Sequence, residues 1–415
     1  MSDTVDADDI AAAAERLSSV VTTTPLHESG RLGAALGRPV WLKREDQQVS
    51  RSYKLRGAFT LISSLTDAER ALGVVCASAG NHALGVAYSC QLLGVRARVF
   101  LPTTTPRQKR QQIQAVGGDL VAAVVAGHSF DEASAAAMAD SATTGSIYVH
   151  PFDDRRTIAG QGTVAVEITR QLDGPVGTLV VPVGGGGLLA GMATWFRAHS
   201  PATRLVGVEP AGAPSMTAAL AAGGPVQIAS TDRFVEGAAV ERVGDLTFPI
   251  VRDLVDEVVL VPEGAVATEM LDLYQVDGII TEPAGALATA AVRLLDPRPA
   301  GPVGCVVSGG NNDVSRYAET IERSMVHRGL RHYFLVTFPQ EPGALRHFLD
   351  EVLGAGDDIV LFEYVKKSNK DTGPALVGIE LEQSSDLGGL LGRMEASPLS
   401  IERVPPDSPL SLFLT

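Results

Sequence analysis

From about Val40 to Ser308 the chain alternates short β-branched runs with Ala-rich stretches of helical length, and this alternation constrains its fold more than any other feature. Parallel strands need a long crossover between them, which a helix supplies, so the pattern reads as successive βαβ units. Strands are expected at Gly73–Ser78, Arg96–Leu101, Thr178–Val183, Leu205–Val208, Glu257–Val261, Gly278–Thr281 and Gly304–Ser308. Most of these runs are apolar throughout, as strands covered on both faces should be. Asp131–Thr143 and Ala284–Leu295 are among the covering helices. The fold class is α/β, with open, mostly parallel, twisted sheets.

After the helical stretch Tyr317–Met325 the texture changes. A strand is expected at His332–Phe338, a helix at Pro342–Leu353, strands at Ile359–Val365 and Ala375–Leu381, and a helix at Asp386–Glu395. That β-α-β-β-α order suggests a C-terminal α+β, ferredoxin-like unit. Charged residues and Gly329 interrupt the periodicity at Val326–Leu330, so the expected domains are 1–326 and 327–415. Pro405–Pro409 reads as a short turn-rich piece.

The 415 residues allow two to four domains and a core large enough for an enzyme. A formal net charge of -14 argues against nucleic acid or an anionic membrane surface as the main partner. Cys76, Cys90 and Cys305 lie far apart in apolar runs, which speaks for buried thiols rather than disulfides or a zinc site. The acidic start Met1–Asp9 lacks the pattern of a secretory signal, and Leu179–Phe196 carries Pro182 and four adjacent glycines, unlike a spanning helix. A cytoplasmic protein without a membrane segment is expected.

Ligands of open parallel sheets bind beyond the carboxyl ends of the strands, where loops and helix N-termini converge. Three expected strands end in glycine-rich turns that open helices: Ser78-Ala79-Gly80-Asn81-His82, Gly184-Gly185-Gly186-Gly187-Leu188 and Ser308-Gly309-Gly310-Asn311. Four consecutive glycines let backbone N–H groups close around an anion without any cation. No Lys follows them, which disfavours a nucleoside triphosphate. Gly185-x-Gly187-x-x-Ala190, with Glu209 at the end of the next expected strand, also satisfies the dinucleotide-binding spacing. That motif leaves Ser52-Tyr53-Lys54-Leu55-Arg56-Gly57-Ala58 unexplained. A lysine there suits a Schiff base with a carbonyl cofactor if burial leaves its amine neutral, whereas a lysine taken by itself is usually a solvated charge.

Together the four ordered motifs resemble those of fold-type II pyridoxal-phosphate enzymes, tryptophan synthase beta-like in fold, and specifically threonine dehydratases (threonine ammonia-lyases). The resemblance runs from about residue 20 to the end of the chain. Phe338-Pro339-Gln340-Glu341-Pro342-Gly343-Ala344-Leu345 and Thr372-Gly373-Pro374-Ala375-Leu376-Val377-Gly378-Ile379 are similar to the ACT-like regulatory domain of the biosynthetic enzymes, present once, as in the short form. The resemblance implies two α/β lobes that bind pyridoxal 5'-phosphate. Lys54 would hold the cofactor as a Schiff base and then remove the substrate Cα proton. The backbone of Gly184, Gly185, Gly186, Gly187 and Leu188 would carry the phosphate, Asn81 would bond the ring 3' oxygen, and Ser308 would face the pyridine nitrogen. Tyr53 would pack on a ring face, and Ser78, Ala79, Gly80, His82, Gly237 and Glu282 would line the substrate pocket. A hydroxyl partner leaves the ring a weaker electron sink than a carboxylate would, which favours elimination over transamination.

The implied activity is deamination of L-threonine to 2-oxobutanoate and ammonia at the head of isoleucine synthesis. Serine lacks one methyl group, worth about 1 to 3 kcal/mol in an apolar pocket, so weaker serine activity is expected. L-Isoleucine, or L-valine, is the implied effector, with Glu341 and Gly343 in the candidate effector turn and a homotetramer as the implied assembly. Two departures from the family's pattern stand out. Ala79 replaces a serine that related racemases use, which implies poor racemisation, and Glu236-Gly237-Ala238-Ala239-Val240 varies the usual Asp-Gly-x-Ala-Val. Glu209 lies in a segment that binds a cation in some relatives, and the metal question stays open. Arg107, Lys109 and Arg110 read as a solvated helix face. The rival readings are a nicotinamide-dependent oxidoreductase and an inactive amino-acid sensor.

Overall fold

The computed structural model describes residues 4–228, 232–295, 298–366, 370–405, 408 and 410. It divides into two compact units, Met1–Asp313 and Val314–Thr415. Helix Tyr317–His327 falls in the second unit, whereas the sequence pattern places it at the end of the first. It is held there by Glu322, which accepts a hydrogen bond from Tyr333 (2.6 Å) and pairs with Arg331, both on a central strand of that unit's sheet.

The first unit is built on two sheets. The larger has the strand order Leu26–Glu28, Val40–Arg44, Val303–Val307, Thr178–Pro182, Arg204–Pro210, Glu257–Val261. Its first strand is antiparallel to its neighbour and all later pairs are parallel. The smaller sheet is wholly parallel, in the order Val121–Val125, Ala97–Leu101, Val74–Ala77, Ile147–Tyr148. Val74–Ala77, Thr178–Pro182 and Val303–Val307 are buried at every position, because helices cover both faces. Gly278–Thr281, expected as a strand, is a loop. The N–H groups of Ile279 and Glu282 go to the Leu273 and Gly309 carbonyls, so this stretch makes no ladder.

Helix Arg155–Gln171 stands between helix Lys54–Ser63 and helix Gly187–His199 and sets the spacing of the cleft. Small residues allow the backbones to meet. A Cβ at Gly160 would lie 2.4 Å from the Arg56 carbonyl oxygen, and one at Gly162 would lie 2.9 Å from that of Gly191. Cys76, Cys90 and Cys305 are free and buried. Among the described residues no helix is long and apolar enough to cross a membrane.

The second unit carries a four-stranded antiparallel sheet in the order Asp358–Tyr364, Thr372–Glu380, Arg331–Pro339, Ser400–Val404. Helices Ala344–Glu351 and Leu387–Ala396 complete a βαββαβ order. Arg331–Pro339 alternates as a one-sided strand should, with His332, Phe334, Val336 and Phe338 buried. Residues 406, 407 and 409 of the turn-rich piece expected at Pro405–Pro409 lie outside the described residues.

Candidate active site

Lys54 is the first residue of helix Lys54–Ser63, and the turn before it is tied to the strand end at Ser308. Ser52 bridges Gly309, Tyr53 N–H donates to the Ser308 carbonyl (3.2 Å), and Gly310 N–H donates to the Arg51 carbonyl (2.9 Å). Among the described residues Arg51 is the one non-glycine with positive φ, +56°, so the turn that delivers the lysine holds a conformation few side chains adopt. The Lys54 Nζ lies 5.2 Å from the centroid of the Tyr53 ring and donates to the Pro151 carbonyl at 3.0 Å. Burial lowers the pKa of this amine to about 8, against the opposing pull of Glu282. Its position in the first turn of a helix works in the same direction, since the N-terminal end disfavours a cation.

Asn81 opens helix Asn81–Leu93 directly after the turn at Ser78, Ala79 and Gly80. Its Nδ2 donates to Glu282 Oε1 at 2.5 Å, and its Oδ1 accepts from Asn311 Nδ2 at 2.7 Å. One of the two amide N–H donors of Asn81 is therefore engaged and the other is left to serve the cleft. Burial raises the Glu282 carboxyl to about 7, partly countered by the Asn81 hydrogen bond. Gly309 must be glycine, because a Cβ would fall 2.3 Å from Glu282 Oε1. Gly237 borders the same carboxylate, at 3.7 Å from its Cβ position. Ser308 is buried, and its hydroxyl donates to the Ala284 carbonyl at 3.1 Å.

His82 is buried beside these groups. Its Nε2 faces the Val149 carbonyl at 2.8 Å and is therefore the N–H donor, which leaves Nδ1 without a donor. Burial first, and then the Lys54 charge, depress its pKa to about 3, so the ring is neutral.

The glycine turn lies against the segment that follows Pro151: a Cβ at Gly187 would fall 2.5 Å from Gln161 Oε1 and 2.9 Å from the Phe152 carbonyl oxygen. Strand Thr178–Pro182 ends just before it and helix Gly187–His199 begins within it, so the leading N–H groups of that helix have no intrahelical acceptor. Gly186 has φ +94°, and a Cβ at Gly185 would enter the Phe152 ring at 2.3 Å. Side chains are thus excluded from a backbone concavity at a helix N-terminus, the geometry that suits a phosphate. With a partly neutral amine, a free amide N–H and a hydroxyl around the same cleft, the residues present fit pyridoxal phosphate.

Sequence reasoning does not single out Pro151, Phe152, Gln161 or Arg51. The one signal that could have found Gln161 is its place in Gly160-Gln161-Gly162, a polar residue between two glycines inside a helix.

Glu209 has a different task. Its Oε1 accepts from Met216 N–H (2.6 Å), and its Oε2 accepts from Thr217 N–H (2.9 Å) and hydroxyl (2.8 Å), capping helix Ser215–Ala222. That occupation argues against the ribose-binding role the dinucleotide reading required. Among the described residues no three or more His, Cys, Asp or Glu are grouped to hold a metal ion. On helix Arg107–Gly117, Lys109 pairs with the exposed Glu236 at 2.7 Å. In the second unit, Glu341 and Gly343 are exposed in the turn before helix Ala344–Glu351, where Gly343 has φ +98°.

A two-lobed α/β enzyme with a lysine and an anion-binding glycine turn across one cleft is the class that the fold and site define. A family model described as "Pyridoxal-phosphate dependent enzyme" matches residues 17–309, and one described as "C-terminal regulatory domain of Threonine dehydratase" matches residues 322–414. The biosynthetic L-threonine dehydratase of Mycobacterium tuberculosis (strain ATCC 25618 / H37Rv) is 56% identical over 408 residues, covering 98% of this chain and 95% of that protein. That of Bacillus subtilis (strain 168) is 47% identical over 397 residues, covering 95% and 94%. Among solved structures, the processed form of threonine deaminase isoform 2 from Solanum lycopersicum superposes with a TM-score of 0.73 at 38% identity, covering 78% of this chain and 90% of that one. The chain belongs to the family of biosynthetic threonine dehydratases, pyridoxal-phosphate dependent enzymes with a C-terminal regulatory domain.

Proposed function

We propose that the chain deaminates L-threonine to 2-oxobutanoate and ammonia, the first step of isoleucine biosynthesis, with weaker activity on L-serine. The observation that supports this reading is Lys54, a buried amine with its pKa lowered to about 8 whose Nζ donates to the Pro151 carbonyl, one residue after Tyr53, whose N–H donates to the Ser308 carbonyl. Pyridoxal phosphate supplies, when bound, an aldehyde that joins an amine and a conjugated ring that accepts the electrons of a bond broken at Cα.

The chain's own residues do the rest. The N–H groups of residues 184–188 hold the phosphate at the start of helix Gly187–His199, with the helix dipole behind them. The unused N–H of Asn81 serves the ring's 3' oxygen, while Glu282 and Asn311 fix the amide's orientation. The single hydroxyl proton of Ser308, which points to the Ala284 carbonyl, is the one a ring nitrogen receives. A hydroxyl at this position would not hold a ring nitrogen protonated as a carboxylate would, which would favour elimination over transamination. Lys54 would hold the cofactor's aldehyde and would act as the base for the substrate Cα proton at Nζ, for which its pKa of about 8 makes neutral amine available near that pH. The turn Ser78-Ala79-Gly80 would border the substrate carboxylate through the Ala79 N–H and the leading N–H groups of helix Asn81–Leu93, since the Ser78 N–H donates to the Phe100 carbonyl (3.2 Å) and the Gly80 N–H to the Ser78 hydroxyl (3.2 Å). Ala79 carries no proton donor for the opposite face of Cα, in keeping with elimination rather than racemisation. Tyr53 packs beside the amine, and the neutral His82 supports the wall of the pocket.

The βαββαβ unit binds an amino-acid effector, L-isoleucine or L-valine, through the region of Glu341 and Gly343, and the enzyme works as a cytoplasmic homotetramer. The test is release of 2-oxobutanoate from threonine by the purified protein supplied with pyridoxal phosphate, with and without isoleucine. Threonine-dependent 2-oxobutanoate is expected. Turnover that requires a nicotinamide and yields no ammonia would overturn the reading.

A further inference from the structure

One carbonyl beneath the lysine receives two donors. Pro151 O accepts from Lys54 Nζ at 3.0 Å and from Gln161 Nε2 at 3.0 Å. Gln161 is completely buried in helix Arg155–Gln171, and its Oε1 has no hydrogen-bond donor. The side chain is wedged between the two helices that carry the site. A Cβ at Gly57, one turn after Lys54, would lie 3.1 Å from Gln161 Cγ. A Cβ at Gly187, in the glycine turn, would lie 2.5 Å from Gln161 Oε1. Its neighbours Gly160 and Gly162 are the positions at which helix Arg155–Gln171 meets those same two helices. Burying an amide with one unused acceptor costs free energy, and an apolar side chain of that volume would fill the space without the cost. What the amide adds is the fixed orientation of the Pro151 carbonyl.

We infer that Gln161 is a positioning residue for Lys54: by donating to the Pro151 carbonyl it holds the acceptor that fixes the lysine amine between the glycine turn and Asn81. Gln161 also keeps this wall of the cleft uncharged. The groups facing the amine are Glu282 at the start of helix Pro283–Ala290, His82 on helix Asn81–Leu93, His150 ahead of helix Arg155–Gln171, and Tyr53 beside it. Glu282 is the acid among them, so a second carboxylate at position 161 would change which form of the amine dominates.

The inference rests on the proposed role of Lys54, and its test does not depend on turnover. The full-length protein freed of cofactor is mixed with pyridoxal phosphate across pH 6 to 10, and the rate at which its visible absorption band appears is followed, beside the extent of Lys54 labelling by an amine reagent. The wild-type midpoint is expected near pH 8. Gln161→Glu should move it upward by about one unit or more, because a carboxylate there favours the charged amine. Gln161→Met, which lacks the donor and adds no charge, should slow capture by up to roughly a hundredfold above the midpoint, the scale of a reacting group misplaced by about 1 Å. Gln161→Asn, too short to reach Pro151, serves if the charged variant does not fold and should be slowed likewise. A folded Gln161→Glu with the wild-type midpoint, or Gln161→Met or Gln161→Asn capturing cofactor at the wild-type rate, would overturn the inference. Shifts of this kind in a protein that released no 2-oxobutanoate would sink the proposed activity and leave the role of Gln161 standing.

Discussion

Replacing Arg56 by methionine should be among the most damaging single changes in the catalytic unit, although Arg56 lies on the side of the helix away from the cleft chemistry. Its guanidinium grips Glu45 twice at 2.8 Å and reaches Glu167 at 2.8 Å. Glu167 also accepts from Lys43 Nζ at 2.5 Å, and the Thr24 hydroxyl donates to Glu45 at 2.6 Å. Two cations and two anions thus cancel in a region where the Arg56, Glu45 and Lys43 side chains are at most 1% exposed. Burial alone would raise the Glu45 carboxyl, but the charge and hydrogen bonds of Arg56 hold it below the usual carboxylate range. Arg56→Met leaves this set with a net negative charge and should cost about 3 to 5 kcal/mol, as when one member of a buried pair is removed. At roughly 2.1 cal/mol/K of unfolding entropy per residue, a unit spanning Met1–Asp313 would lose about 5 to 8 °C of Tm. Adding Glu45→Gln restores neutrality, leaving Lys43 and Glu167 as a balanced pair, and should recover more than half of the loss. The assay is thermal and urea unfolding of the two single variants and the double. A loss under about 1 kcal/mol for Arg56→Met, or a double variant as unstable as the two losses summed, would refute the reasoning.

Other consequences follow from the same geometry. Gly185→Ala drives a methyl group into the Phe152 ring and should cost about 1 to 3 kcal/mol while weakening cofactor binding, checked by unfolding and by titration with pyridoxal phosphate. Because folding lowers the Lys54 pKa from its ordinary 10.5 to about 8, the charged amine burdens the folded state below about pH 8, and the burden fades as pH rises towards 10.5. Lys54→Met should therefore raise the Tm of the cofactor-free protein at pH 7, with a smaller gain at pH 10. Deleting residues 314–415 should leave threonine turnover in the remaining unit and abolish its response to isoleucine, and a retained response would remove the regulatory reading of the second unit.

Much of the fold was legible because burial on both faces writes a strand as an unbroken apolar run, as at Thr178–Pro182 and Val303–Val307. Strands of two or three residues, Ile147–Tyr148 and Leu26–Glu28, are too short for a pattern, and Ser400–Val404 is mostly exposed, so its residues alternate little. Gly278–Thr281 misled for the opposite reason: its apolar residues looked like a strand, but its backbone partners lie in a helix end and the Gly309 turn. The glycine turns and Lys54 could be found in sequence because the backbone conformation and the chemistry demand those residue types. Pro151 and the buried set around Arg56 could not be, since the charges of Lys43 and Glu45 acquire their buried partners Glu167 and Arg56 only when the fold brings them together.

The most direct test of the account is the absorption spectrum of the full chain and of Lys54→Ala with pyridoxal phosphate, recorded beside 2-oxobutanoate formation from threonine. The account predicts a visible band and product with the wild type, and neither with Lys54→Ala. Product formed by the variant at the wild-type rate would contradict the assignment of Lys54 as both anchor and base.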